Sequence, residues 1–150
     1  MKVHTRNLQR QRKISLQRLK RDSLCLLKVF NLKKTELGVL LINDRRMKTM
    51  NHSYRGINRT TDVLSFPVFN SLKEILKEEQ ETLIGDIIIS LPAAERQAEE
   101  AGCTLYGEVR RLLVHGFLHL LGYDHEKGEY KKRKMSRIER ELGHALEKMD

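Results

Sequence analysis

The sequence has few cysteines and few aromatic residues. Its two cysteines, Cys25 and Cys103, stand far apart without a Cys-x-x-Cys spacing. This spacing suggests neither a disulfide framework nor a cysteine zinc site, so both are expected to be small, buried apolar residues. Aromatic residues make up only 5% of the chain, and tryptophan is absent. The stacking platform of the common RNA-binding modules is therefore not evident.

Long apolar stretches are also missing. The longest run, from Leu37 to Ile42, is far shorter than the roughly 18 residues that a membrane-spanning helix requires. The chain is charged from Lys2 onward and lacks the apolar segment of a secretory signal. We therefore expect a cytoplasmic protein without a membrane partner. A length of 150 residues predicts one domain over residues 1–150.

Acidic residues are nearly absent from residues 2–34, where Asp22 stands against eleven lysines and arginines. The whole chain carries a net charge of +9, so its positive excess is concentrated in this segment. A one-sided basic surface attracts polyanions, with nucleic acid ahead of an anionic membrane. Arg18, Lys20 and Arg21 are the candidate RNA contacts here, and an ordinary solvated basic face is the alternative.

Hydrophobic periodicity and turn residues divide the chain into strands and helices. Strands are predicted over residues 1–7, 37–42, 62–66 and 84–90. Helices are predicted over residues 11–30, 45–54, 92–102, 104–121 and 126–146, with a surface excursion at 71–81. Strands mixed with helices, without a regular alternation, favour a single α+β domain. The helix over residues 104–121 has the broadest apolar pattern and is expected to be central.

The strongest chemical signal is HGFLHLLGYDH at residues 115–125. His115 and His119 are four positions apart, so their imidazoles share one helix face and can reach one metal ion. Gly122 is expected to end the helix, and the turn would bring His125 back toward the same point. Three histidines with an open fourth position are typical of a catalytic zinc site with one ion per chain. Histidines that merely fill the core are the alternative.

One residue that the histidine spacing leads us to expect is absent. The spacing matches the zinc motif of metzincin proteases, but Gly116 stands where those enzymes have their general-base glutamate. A base must lie within about 3.2 Å of the proton it takes, or act through one water, so peptide hydrolysis is disfavoured. Zinc lowers the pKa of bound water from about 15.7 to about 7, so other hydrolytic chemistry stays available.

Three stretches resemble the YbeY endoribonuclease family of rRNA maturation factors. They are HGFLHLLGYDH at 115–125, NHSYRGINRTTDVLSFP at 51–67 and GDIIIS at 85–90. The resemblance implies an α+β fold with a small mixed sheet and surrounding helices. It also implies a zinc-dependent, single-strand-specific endoribonuclease in maturation of the small-subunit rRNA 3′ end and in ribosome quality control. Its implied partners are single-stranded and ribosomal RNA and the small ribosomal subunit, with no DNA.

The resemblance also assigns individual residues. The zinc ligands would be His115, His119 and His125, and Arg55 in the Tyr-Arg-Gly element matches the family's functional arginine. Arg55 and His115 are thus the candidate catalytic residues. Arg59 follows on the same predicted loop and is a candidate RNA contact, because a guanidinium matches phosphate oxygens. Solvated loop arginines are the alternative for both.

Three functions stay open at this point. They are a metal-dependent ribonuclease, a metallopeptidase-like hydrolase and a non-enzymatic ribosome-associated zinc protein. The missing glutamate counts against the second, and an open three-ligand site counts against the third, since structural zinc normally has four protein ligands. The ribonuclease is preferred. Zinc and nickel are both compatible with a histidine site.

Overall fold

The computed structural model describes residues 1–124 and 128–150, which form four strands and six helices. In chain order these are β1 (Lys2–Asn7), α1 (Leu16–Val29), β2 (Thr35–Ile42), α2 (Asp44–Arg55), β3 (Val63–Pro67), α3 (Leu72–Leu76), β4 (Thr82–Ser90), α4 (Leu91–Ala101), α5 (Leu105–Leu120) and α6 (Glu129–Glu147). The predicted α+β domain is confirmed. Among these helices, none has the length and apolar character needed to cross a membrane.

The four strands form one mixed sheet in the order β1-β2-β4-β3. β1, β2 and β4 are parallel, and β3 pairs antiparallel with β4 at one edge. The central strands β2 and β4 are rich in buried leucine, isoleucine and valine, as expected for strands that are covered on both faces. Pro67, which has no N–H to donate, is tolerated because β3 is an edge strand.

Helices cover both faces of the sheet. Successive side chains of a strand point to opposite faces, and here the side chains on both faces are apolar and must be buried. On one face, Val39 and Ile87 pack with Phe117 of α5 in the main core, to which α1 and α4 also contribute. On the opposite face, Ile88 packs with Met47 of α2 in a smaller cluster. The helix that carries the histidine motif and the helix that ends in the predicted catalytic arginine thus lie on opposite sides of the sheet.

Gly116 lets α5 approach the sheet closely. A Cβ atom at this position would lie 2.8 Å from Cγ2 of Ile87 and 3.1 Å from the hydroxyl oxygen of Ser65. The Ser65 hydroxyl donates a hydrogen bond to the Gly116 carbonyl at 3.2 Å. The glutamate of the protease motif has no room here, so its absence follows from the packing of α5 on β3 and β4.

The prediction that a helix begins at residue 11 is wrong, because α1 begins at Leu16. Ser15 caps it, accepting a hydrogen bond from the Arg18 N–H at 3.1 Å. Upstream, the Gln9 side chain donates to the Arg12 carbonyl at 2.7 Å and accepts from its N–H at 2.9 Å. Such side-chain pairing with the backbone competes with helix formation, so residues 11–15 are not helical.

Two other structural expectations are corrected, and a third is refined. The segment 71–81 is largely exposed, as predicted for a surface excursion, and it contains the short helix α3, whose Ile75 is buried. With α3 included, strands and helices alternate regularly from β1 to α4. Cys103 is exposed and Cys25 is half-buried, because neither side chain points fully into the core. The predicted start of the last helix at residue 126 lies outside the described residues.

Candidate metal and RNA site

The last turns of α5 bring two histidines together. The helix buries its apolar side in the main core, and His115 and His119 lie one turn apart at its partly exposed margin. Their Nε2 atoms are 3.0 Å apart, and their rings meet edge to face with centroids 4.5 Å apart. Two ring nitrogens therefore converge on one point, as the spacing predicts.

A carboxylate from α6 supports the first histidine. Oε1 of Glu139 lies 3.2 Å from Nδ1 of His115. Because an ionised carboxylate only accepts hydrogen bonds, Nδ1 carries the proton and Nε2 presents its lone pair toward His119. A carboxylate that orients a histidine in this way is a recurring feature of metal sites. No pattern in the sequence pointed to Glu139, since only the packing of α6 on α5 brings it here.

The two histidines fit a zinc ion. Two nitrogens about 2.0–2.1 Å from a tetrahedral ion would be roughly 3.3 Å apart, and the observed separation is 3.0 Å. Within residues 1–124 and 128–150, no group of three histidine, cysteine, aspartate or glutamate side chains converges as a metal site. The predicted third ligand, His125, lies outside these residues. The complete ligand set stays a prediction.

Gly122 ends the motif helix, as the sequence predicts. Its φ of +92° favours glycine, and a Cβ atom there would lie 2.6 Å from the Asn70 carbonyl oxygen. The N–H of Gly122 donates to the His119 carbonyl at 3.0 Å, and that of Tyr123 donates to the Leu118 carbonyl at 3.0 Å. This Schellman pattern reverses the chain directly after the two histidines.

Arg55 and Arg59 are both exposed beside the edge strand β3. The ring of Tyr54 packs edge-on against Phe66 of β3 with centroids 5.1 Å apart. The Asn51 side chain donates to the Arg59 carbonyl at 2.8 Å, which fixes the loop. In the part of the chain that the structure describes, no contact joins either arginine to the histidines. Their functional roles stay predictions.

The predicted RNA contacts on α1 are largely committed to ion pairs within the protein. Arg18 and Arg21 both pair with the Asp150 carboxylate, at 2.5 and 2.6 Å. The Arg18 guanidinium also stacks over the Tyr106 ring, 4.0 Å from its centroid. Lys20 is exposed. RNA binding by this face stays a prediction. To bind a phosphate, Arg18 and Arg21 would have to give up their ion pairs with Asp150 or contact the phosphate and Asp150 together.

A buried polar cluster fixes the N-terminal half of α5 to α1. Arg110 pairs with the fully buried Asp22 at 2.9 Å, and the Tyr106 hydroxyl donates to the same carboxylate at 2.6 Å. Burial, followed by the hydrogen bond to Asp22, raises the pKa of Tyr106 well above its usual range, so the phenol stays protonated. A helix rises 1.5 Å per residue, so Arg110 of this cluster lies about 13 Å along α5 from His119.

The sheet and the central helix define an α+β domain that carries a pair of converging histidines near the end of that helix. Comparison with known proteins narrows this class. The family model for Endoribonuclease YbeY matches residues 4–147. The chain therefore belongs to the YbeY endoribonuclease family. The family name denotes a hydrolytic nuclease, so the prediction of an endoribonuclease is confirmed, and its dependence on a metal stays a prediction.

Individual relatives agree with this assignment. The Endoribonuclease YbeY of Sulfurihydrogenibium sp. is 48% identical over 104 residues, which cover 69% of this chain and 65% of that protein. The Endoribonuclease YbeY of Aquifex aeolicus is 38% identical over 133 residues, or 87% of this chain and 83% of that protein. The solution structure of a Thermotoga maritima protein matches with a TM-score of 0.66 at 22% identity, covering 96% of this chain and 88% of that one. This structural similarity supports the α+β fold of the chain.

Proposed function

We propose that the protein is a zinc-dependent, single-strand-specific endoribonuclease. It would act in the cytoplasm on the small ribosomal subunit, in maturation of the rRNA 3′ end and in ribosome quality control. The observation that carries the proposal is the 3.0 Å approach of the two Nε2 atoms, with Glu139 behind His115. Membership of the YbeY family supports RNA as the substrate.

The histidines would hold the ion. His115 and His119 supply two nitrogens, and His125 is the proposed third ligand. Zinc, when bound, supplies a Lewis acid for a phosphoryl oxygen and lowers the pKa of water. Glu139 keeps the imidazole of His115 in the orientation and tautomer that zinc binding requires. The close contact of Gly116 with Ile87 leaves no room for a peptidase glutamate, which counts against the peptidase alternative.

The arginines beside β3 would act on the phosphates. Arg55 would donate to a nonbridging oxygen whose negative charge increases in the transition state, and Arg59 would hold a neighbouring phosphate. Because β3 is an edge strand, RNA that crosses this edge can reach side chains from both sides of the sheet. The sheet topology thus offers a route by which one substrate meets α2 and α5 together.

Exposed aromatic surface favours an unpaired substrate. The Tyr54 side chain, next to Arg55, is 68% exposed although one edge of its ring rests on Phe66. An unpaired base can stack on such a ring, whereas a base inside a duplex has both faces covered. Single-strand specificity therefore has a candidate physical basis in this chain.

Zinc-loaded protein is expected to cut an unstructured RNA oligonucleotide internally. Annealing the same oligonucleotide to its complement should slow cleavage roughly 5- to 150-fold, because stacking of one base contributes about 1–3 kcal/mol. Denaturing gels of RNA labelled at either end distinguish internal cuts from digestion from a terminus. Equal rates on single strand and duplex would contradict the specificity, and hydrolysis of a peptide library without RNA cleavage would contradict the function.

A further inference from the structure

One side of α6 is strongly basic. Between residues 131 and 140 the sequence has six lysines and arginines, and Glu139 is the only acidic residue. All six are exposed. Five of them line one surface concavity. We call four of these five the basic flank: Lys132, Arg133, Arg137 and Arg140. We propose that the basic flank binds the backbone of single-stranded RNA and leads it to the histidine pair, an inference that rests on the proposed function.

The cations of the basic flank have no carboxylate partners in residues 1–124 and 128–150. Arg133 donates only to the Glu129 carbonyl of its own helix, at 3.4 Å. Several arginines elsewhere do have such partners, as in the pairs Arg12–Glu95, Arg96–Asp44 and Arg111–Glu108. Arg133, Arg137 and Arg140 are three and four residues apart, spacings at which like charges destabilise a helix. An external polyanion would remove this repulsion.

The basic flank adjoins the histidine site. Glu139 contacts His115 and is followed directly by Arg140 of the flank. Ser136 and Arg140 line both the flank concavity and a groove between α5 and α6. That groove reaches Arg111, one turn before His115. An RNA strand lying along the flank would therefore arrive beside the two converging nitrogens.

The chemistry of α6 favours RNA over a membrane surface. Its apolar residues Met135, Leu142 and Leu146 are buried, so the helix has no apolar face to insert among lipids. Tyr130, at the N-terminal end of the flank, is 76% exposed. Cations that follow a phosphate backbone, with an aromatic ring on which a base can stack, are the combination used to bind single-stranded nucleic acid.

The test measures binding of a fluorescent 2′-O-methyl RNA by anisotropy over a range of salt concentrations. The flank variant carries Lys132→Gln, Arg133→Gln, Arg137→Gln and Arg140→Gln. The control removes the same charge from exposed positions outside both the flank and the basic segment 2–34, with Arg45→Gln, Lys48→Gln, Lys73→Gln and Lys77→Gln. We expect the flank variant to bind at least about tenfold more weakly at low salt. Its log–log salt slope should fall by about 0.7 for each phosphate that the variant no longer neutralises, and the control should change little.

A charge-retaining variant separates binding from folding. Arg133→Lys, Arg137→Lys and Arg140→Lys together keep the positive charges that face the phosphates, so the salt slope should stay near that of the wild type. Equal weakening of the flank variant and its control would overturn the proposal. So would flank-dependent binding to phosphatidylserine vesicles with unchanged RNA affinity.

Cleavage assays on the same proteins distinguish this proposal from the proposed function. If the wild type cleaves RNA and the flank variant does so with an unchanged KM, the flank proposal is wrong and the nuclease function stands. If the wild type binds RNA through the flank but does not cleave it, the nuclease function is wrong and the flank proposal stands.

Discussion

Replacing His119 with alanine is expected to remove both zinc and RNA cleavage. The Nε2 atom of His119 is one of two nitrogens that converge at 3.0 Å, and without it His115 and the proposed His125 cannot enclose the ion. Zinc should fall from about one ion per chain to background after dialysis. The cleavage rate should fall by more than about 100-fold. Losing a residue that only hydrogen-bonds to a metal ligand can already cost about that much, and His119 is itself a proposed ligand.

His144→Ala is the matched control for this variant. His144 is exposed on α6, where its ring lies 3.6 Å from the Glu147 carboxylate, and it is not one of the proposed zinc ligands. Zinc content by mass spectrometry and cleavage of single-stranded RNA should both match the wild type. Full zinc content in His119→Ala would reject the assigned ligand. Loss of zinc with an unchanged cleavage rate would reject a role for the ion in the reaction.

Replacing Arg55 with alanine is expected to lower kcat roughly 100-fold, a loss of about 2.7 kcal/mol in transition-state stabilisation. A phosphodiester gains negative charge on its nonbridging oxygens during attack, so a guanidinium that contacts one of them acts more strongly in the transition state than in the bound substrate. KM and zinc content should therefore change little. Initial rates over a range of RNA concentrations separate kcat from KM.

Two further variants sharpen the Arg55 test. Lysine at this position should restore activity only in part, because a point charge lacks the planar fork of arginine. Arg45→Ala, an exposed arginine near the start of the same helix, should have wild-type kinetics. Since α2 and α5 lie on opposite sides of the sheet, a raised KM at constant kcat would make Arg55 an RNA-binding contact and assign the charge stabilisation to another group.

Features set by local sequence could be predicted well. The positions of β2, β4 and α5 follow from apolar runs and helical periodicity, which act over a few residues. The convergence of His115 and His119 follows from a spacing of four within one helix. The helix end at Gly122 follows from the positive φ that glycine accepts.

Features set by tertiary packing could not be predicted. Glu139 is 24 residues from His115 in sequence, and no local pattern connects them. The contacts of Arg18 and Arg21 with Asp150 span 132 and 129 residues, so a face that is basic in sequence is partly neutralised in the fold. The requirement for glycine at position 116 likewise arises only where α5 meets the sheet.

Anomalous diffraction at the zinc edge from crystals of the zinc-loaded protein tests the proposed metal site most directly. We predict one peak per chain, about 2.0–2.1 Å from the Nε2 atoms of His115 and His119, with His125 as the third protein ligand. A peak at Cys103 or His144, with none between the two Nε2 atoms, would contradict the assignment of the motif histidines as the zinc site.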